Sequence, residues 1–143
     1  MLGVAVSRSH PSSDDPFHLR DFLARATALA SDHAVASVLV GLAASEGDRL
    51  FPDLVSFIES ELRVEDAVFR LTRDRALLFL ADVEPEQARS VVERLVQGFH
   101  REFPIADAPG VRIRYFDVSP GTLELTVKQV LPALFAPAIP IGD

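Results

Sequence analysis

Leu19, Phe22, Leu23, Ala26 and Leu29 recur at the spacing of one helix face, which predicts an amphipathic helix from Phe17 to about Ser31. The run from Val35 to Leu42 is valine-rich and mostly apolar, the pattern of a central strand covered on both faces. Gly47-Asp48 breaks the chain, and Phe51, Leu54, Val55, Ile58 and Leu62 then mark a second helix ending near Arg63. Pro52 is tolerated in its first turn because the N–H it lacks would have no partner there. Val68 to Leu71 and Ala76 to Leu80 are short apolar segments joined by the polar tip Thr72-Arg73-Asp74-Arg75, which predicts a β-hairpin. Pro85 opens a third helix with Ala88, Val91, Val92, Leu95, Val96, Phe99 and Phe103 on one stripe and Arg89, Arg94 and Arg101 off it. Val111 to Val118 alternates as a strand, and Leu123 to Phe135 is a closing helix that Pro132 kinks or ends. Residues 1–16, ending in Pro11-Ser12-Ser13-Asp14-Asp15-Pro16, form a flexible leader or linker, residues 137–143 a flexible tail, and the domain occupies 17–136.

The order α-β-α-β-β-α-β-α predicts an α/β (α+β) domain with a mixed central sheet and flanking helices, the class of nucleotide cyclase and polymerase palm domains. Such a layout names no function. The 143 residues, 48% hydrophobic, are enough for one domain with a substantial core. No apolar run approaches the roughly 18 residues of a membrane span and no signal peptide opens the chain, so no membrane partner and a cytoplasmic location are expected. The absence of cysteine removes disulfides, thiolate nucleophiles and thiolate metal sites. A net charge of -7 repels polyanions, so no nucleic-acid partner is expected and any phosphate ligand needs a local basic cluster. His10, His18, His33 and His100 show no metal-ligand spacing and receive no chemistry.

Arg63-Val64-Glu65-Asp66 leads through an apolar strand into Thr72-Arg73-Asp74-Arg75-Ala76 and a second apolar strand, and the following helix carries Val92-Glu93-Arg94-Leu95. This stretch resembles the GGDEF (diguanylate cyclase) family, in which an R-x-x-D motif precedes a G-G-D/E-E-F hairpin and a helix ends in A-E-R-[IL]. Gly47-Asp48 falls at the register of that family's G-D. The resemblance implies a shortened palm-like GGDEF fold, in a bacterial second-messenger setting, and the departures from its pattern imply a degenerate catalytic site. Thr72 and Arg73 stand where glycines let the backbone approach substrate phosphates. Gly41, Leu42 and Ala43 end the first strand where family cyclases place a metal-binding Asp. Asp74 matches the other metal-ligating acid but is followed by Arg75 instead of a second one, which makes no two-metal phosphoryl-transfer site. The elements preceding G-D in the family have no counterpart in Ala43-Ala44-Ser45-Glu46, which leaves Asp48 without its guanine-binding companion.

Arg63, Asp66 and Arg94 match, residue by residue, the inhibitory site at which family members bind cyclic di-GMP. Arginine forks suit guanine O6 and N7 or phosphate oxygens, and a carboxylate accepts hydrogen bonds from a guanine edge. The resemblance therefore implies a catalytically inactive domain that binds cyclic di-GMP, holds no metal or other cofactor, and signals to an unnamed protein partner, with a second copy of the chain as a further partner option. The alternative is a protein-interaction or scaffold domain that keeps the fold without nucleotide. The plainer reading of Arg63 and Asp66 is a surface ion pair at a helix-to-strand junction, and that of Arg94 a solvated helix residue. Asp74 reads most simply as a turn residue, and Arg70, Arg73 and Arg75 as a basic patch on the hairpin. Each site residue is expected at the surface end of an element, removable at little cost in stability.

Overall fold

The computed structural model describes residues 16–45, 47–103 and 110–135. Its elements are α1 (Pro16–Asp32), β1 (Ser37–Ala43), α2 (Phe51–Glu61), β2 (Ala67–Thr72), β3 (Arg75–Ala81), α3 (Pro85–Glu102), β4 (Arg112–Val118) and α4 (Val127–Phe135). The expected leader, of which Pro16 alone is described as the start of α1, and the expected tail lie outside the described residues.

The apolar run of β1 is buried at all positions. It sits inside the sheet, whose order is β2-β3-β1-β4. One face of the sheet carries Val38, Val40, Leu42, Ala76, Leu78 and Leu80, packed against Phe51, Leu54, Val55 and Ile58 of α2 and Ala88, Val92, Leu95 and Phe99 of α3. The other carries Leu39, Ala43, Leu77 and Phe79, covered by Leu19, Leu23, Ala26 and Ala30 of α1 and Val130, Leu134 and Phe135 of α4. Alternate strand residues thus enter different cores, which is why β1 and β3 read as unbroken apolar runs instead of alternating ones. The class is the α+β one that the element order predicts, with helices on both faces. The sheet itself is not mixed: β1–β3, β1–β4 and β2–β3 all pair antiparallel.

Two boundaries differ from the apolar pattern for local reasons. Helix α4 begins at Val127, not Leu123, because the Thr126 hydroxyl accepts a hydrogen bond from the Gln129 amide at 3.2 Å and caps the first turn. Leu123 stands outside the helix, 81% exposed. Phe103 lies just past α3 and is exposed instead of completing its stripe. The start of α3 is fixed by a capping box in which Glu84 and Gln87 bond each other's backbone N–H groups, with Pro85 at the first helical position.

Candidate functional site

Helix α2 stops when Leu62 turns extended, and the chain then folds back so that the Asp66 N–H donates to the Arg63 carbonyl at 3.0 Å. This turn brings the two side chains face to face. Arg63 Nε donates to Asp66 Oδ2 and Nη2 to Oδ1, both at 2.9 Å, a two-pronged fork on the carboxylate. Oδ1 also accepts from the Ala81 N–H at 3.0 Å, and Oδ2 from the Arg63 N–H at 3.3 Å. Arg63 Nη2 donates in turn to the Ala81 carbonyl at 2.5 Å.

These bonds finish the sheet. The pairing of β2 with β3 ends at Ala67↔Phe79, and two residues further on the polar groups of Ala81 turn to the same side of the strand. Arg63 and Asp66 supply there the donor and the acceptor that a continuing β2 would have supplied. The side chain of Asp66 is accordingly only 4% exposed and that of Arg63 47%. The expected surface pair is therefore half buried, and removing Asp66 is not the low-cost change its place at a junction implies: four donors lose their acceptor. The hydrogen bond with Asp66, reinforced by the charges of Asp66, Glu65 and Asp82 and opposed by partial burial, holds the Arg63 guanidinium above its ordinary pKa.

Arg63 and Asp66 open onto a cleft of about 290 Å³ whose far wall is α3, lined there by Gln87, Val91 and Arg94. All three residues matched to the inhibitory site thus share one cavity. A neighbouring hollow of about 340 Å³, lined by Glu86, Gln87, Ser90, Val91 and Arg94, continues along α3. The electrostatics are mixed: Glu61, Asp66 and Asp82 line the cleft beside Arg63 and Arg94. With Asp66 neutralised by Arg63, Arg94 is, among the described residues lining the cleft, the cation left to meet an incoming anion.

Sequence reasoning passes over Glu65, which lines not this cleft but a separate hollow of about 480 Å³ with Arg25, Leu29 and His33. Its carboxylate lies 3.5 Å from Arg63 Nη1, with its side chain 49% exposed, and its carbonyl accepts from Arg25 Nη2 of α1 at 3.2 Å. The signal was present, since Glu65 sits inside R-x-x-D, but only the turn geometry distinguishes it from Val64 beside it. Asp82, which follows β3 at φ 54°, was also passed over.

At the other end of β3 the segment Thr72-Arg73-Asp74-Arg75-Ala76 forms a tight connection. Thr72 pairs with Arg75, a register shift separates that pair from Arg70, and Arg73-Asp74 is the turn. Neither turn residue has a positive φ, so the hairpin closes without glycine. The Thr72 hydroxyl donates to Asp74 Oδ1 at 2.7 Å, and the Asp74 carbonyl accepts from the Ala44 N–H at 2.8 Å. Ala76 is buried. The expected basic patch is divided: Arg70 bonds Glu59 of α2 at 2.7 Å, whereas Arg75 lies over the Phe135 ring of α4 at 5.8 Å. Asp48 accepts from the Leu50 N–H at 2.8 Å and serves the start of α2. Gly41 lies beneath α4, where a Cβ would come within 2.8 Å of Leu134 Cβ, and Ala43 is buried. Among the described residues no group of three or more His, Cys, Asp or Glu is placed to hold a metal ion, and no helix is long and apolar enough to cross a membrane.

No family profile and no curated protein matches the sequence. Solved structures do match. PelD from Pseudomonas aeruginosa PAO1, solved in complex with c-di-GMP, aligns at 25% identity and a TM-score of 0.60 over 76% of this chain and 41% of that one. The chain thus spans about two fifths of the PelD chains that it matches. The FimX GGDEF domain from Pseudomonas aeruginosa aligns at 16% identity and a TM-score of 0.64 over 87% of this chain and 90% of that one. Diguanylate cyclase SiaD from the same organism, in complex with its activator SiaC, aligns at 19% identity and a TM-score of 0.65, covering 82% and 50%. The antiparallel sheet, the helices on its two faces and these alignments together make this a GGDEF-like fold.

Proposed function

We propose that this domain is a catalytically inactive GGDEF-like receptor that binds cyclic di-GMP in the Arg63–Arg94 cleft and passes the signal to a protein partner. The observation that carries the reading is the convergence of Arg63, Asp66 and Arg94, from a turn and a separate helix, on one cavity. PelD, solved with c-di-GMP, supports the ligand class. The 290 Å³ cleft and the 340 Å³ hollow beside it share Gln87, Val91 and Arg94, which gives a dinucleotide more room than either alone.

Inactivity rests on the hairpin end. Asp74 is held by Thr72, Arg75 follows it, and Gly41 has no room for a carboxylate. Magnesium-assisted phosphoryl transfer needs oxygen ligands that hold the ion beside the triphosphate. Calorimetry with cyclic di-GMP and a GTP turnover assay with magnesium or manganese test both halves. Binding is expected by about 100 μM ligand, equivalent to roughly 5.5 kcal/mol, together with no cyclic di-GMP formed. Product that disappears in Asp74→Ala would overturn inactivity, and no heat of binding at that concentration would overturn the receptor reading.

One observation favours the scaffold alternative. The Arg63–Asp66 pair already has a structural task at the end of β3, so its presence does not require a ligand.

A further inference from the structure

The motif names Asp66 as the carboxylate that meets a guanine base, but its oxygens are already taken. An ionised carboxylate offers about four lone-pair sites, and in Asp66 these accept from Arg63 Nε, Nη2 and N–H and from the Ala81 N–H, on a side chain 4% exposed. Two other acids line the same cleft, Glu61 and Asp82. Of these, it is Asp82 whose charge adds to the Asp66 hydrogen bond in holding the Arg63 guanidinium above its ordinary pKa, which puts its carboxylate within electrostatic reach of the fork. Asp82 makes no hydrogen bond or ion pair among the described residues. The backbone that presents it is pinned on both sides. Ala81 bonds Arg63 and Asp66 through its carbonyl and its N–H, and the Val83 N–H donates to the Ala36 carbonyl at 3.2 Å. Asp82 itself stands at φ 54°, a conformation that glycine adopts more readily. No bond of its side chain explains an acid there, and strained backbone of this kind clusters at ligand clamps. Asp82 also borders the hollow of Arg25, Leu29 and His33, so it stands on the ridge between the two cavities.

We propose that Asp82 is the base-reading carboxylate of this cleft and that it selects guanine over adenine. The inference rests on the receptor reading. A guanine edge presents O6, N1–H and N2–H2 in a row, one acceptor followed by two donors. The two Asp82 oxygens can accept from N1–H and N2–H2, a charge-assisted fork. Adenine presents a donor at N6 beside the bare lone pair of N1, so one oxygen of the same carboxylate would face that lone pair. This is selection by repulsion as well as attraction. It also gives the mixed charges of the cleft a purpose, since an acid that repels a phosphate suits a base edge. Phosphate contact is left to Arg94, and Asp66 keeps its bonds to Arg63 and Ala81.

The test is calorimetric titration of the full chain, of Asp82→Gly and of Asp82→Asn with cyclic di-GMP and, separately, cyclic di-AMP, with thermal melts of all three proteins. The expected result is a wild type that prefers the guanine ligand. In both variants affinity for cyclic di-GMP should fall about tenfold or more, the loss of one charge-assisted bond. Affinity for cyclic di-AMP should not fall. Glycine and asparagine both accept a left-handed backbone, so neither melting midpoint should drop, and that of Asp82→Gly should equal or exceed the wild type. Variants that bind cyclic di-GMP as tightly as the wild type would overturn the inference and leave the receptor reading standing. Equal losses for both ligands, or a wild type that binds the two alike, would also overturn it, since selection would then lie elsewhere. Midpoints lowered in both variants would make Asp82 a structural residue and end the inference too. A wild type that binds neither ligand at about 100 μM would remove the receptor reading and this inference with it.

Discussion

At the Arg75 end of β3, Thr72 and Asp74 bond within the turn and Arg75 lies against a neighbouring helix, whereas at the Ala81 end charged groups border an open cleft. The two ends are separated by a strand of seven residues, about 20 Å. At the first end Thr72 closes on Asp74, Arg75 lies against Phe135, and α4 presses on Gly41. At the second, a turn that repairs the sheet edge also holds an arginine fork half open to solvent, across from a helix carrying another arginine. The contrast teaches that the hairpin end of this fold can be closed and packed without glycines or paired acids. The opposite end keeps its charged residues for a reason that includes the integrity of the strand.

Three substitutions sharpen that contrast, in falling order of effect. Gly41→Asp places an acid near the end of β1 but drives a side chain into Leu134 and buries its charge without a partner. It is expected to destabilise the domain by about 4 kcal/mol or more, with no gain of GTP turnover. A urea titration showing wild-type stability would mean that the hairpin end is open after all. Arg63→Ala strands the Asp66 carboxylate and frees the Ala81 carbonyl. It is expected to cost about 2–3 kcal/mol, a melting midpoint lower by roughly 5–10 °C. An unchanged midpoint would return the pair to the status of a surface contact. Arg94→Ala touches no such network and should leave stability within about 0.5 kcal/mol, while weakening cyclic di-GMP about tenfold in calorimetry. Unaltered affinity would make Arg94 a solvated helix residue.

Much of this was legible in the chain. The succession of elements followed from apolar spacing because most strands and helices here bury what the pattern marks, and β1 declared its central place by being apolar on consecutive residues. Antiparallel pairing throughout was not legible, since burial on both faces reads alike for parallel and antiparallel neighbours. Nor was the start of α4, where Leu123 and Leu125 prolong a helical pattern that the Thr126 cap interrupts. For the candidate site, the R-x-x-D spacing pointed to Arg63 and Asp66 and the helix motif to Arg94, three residues that line one cleft. Spacing could not show which oxygens were free, because Asp66 is saturated through Ala81, a residue fifteen positions away.

The side-chain bonds at Ala81 have one more consequence. Elsewhere in β3 a backbone amide can exchange with solvent only after a strand pair parts, but the Ala81 N–H is shielded by the Asp66 carboxylate. Its exchange therefore follows the opening of a single turn, a local event that lies below global unfolding on the free-energy scale. That one amide registers any motion of the Arg63 turn while the two cores on either side of the sheet stay closed.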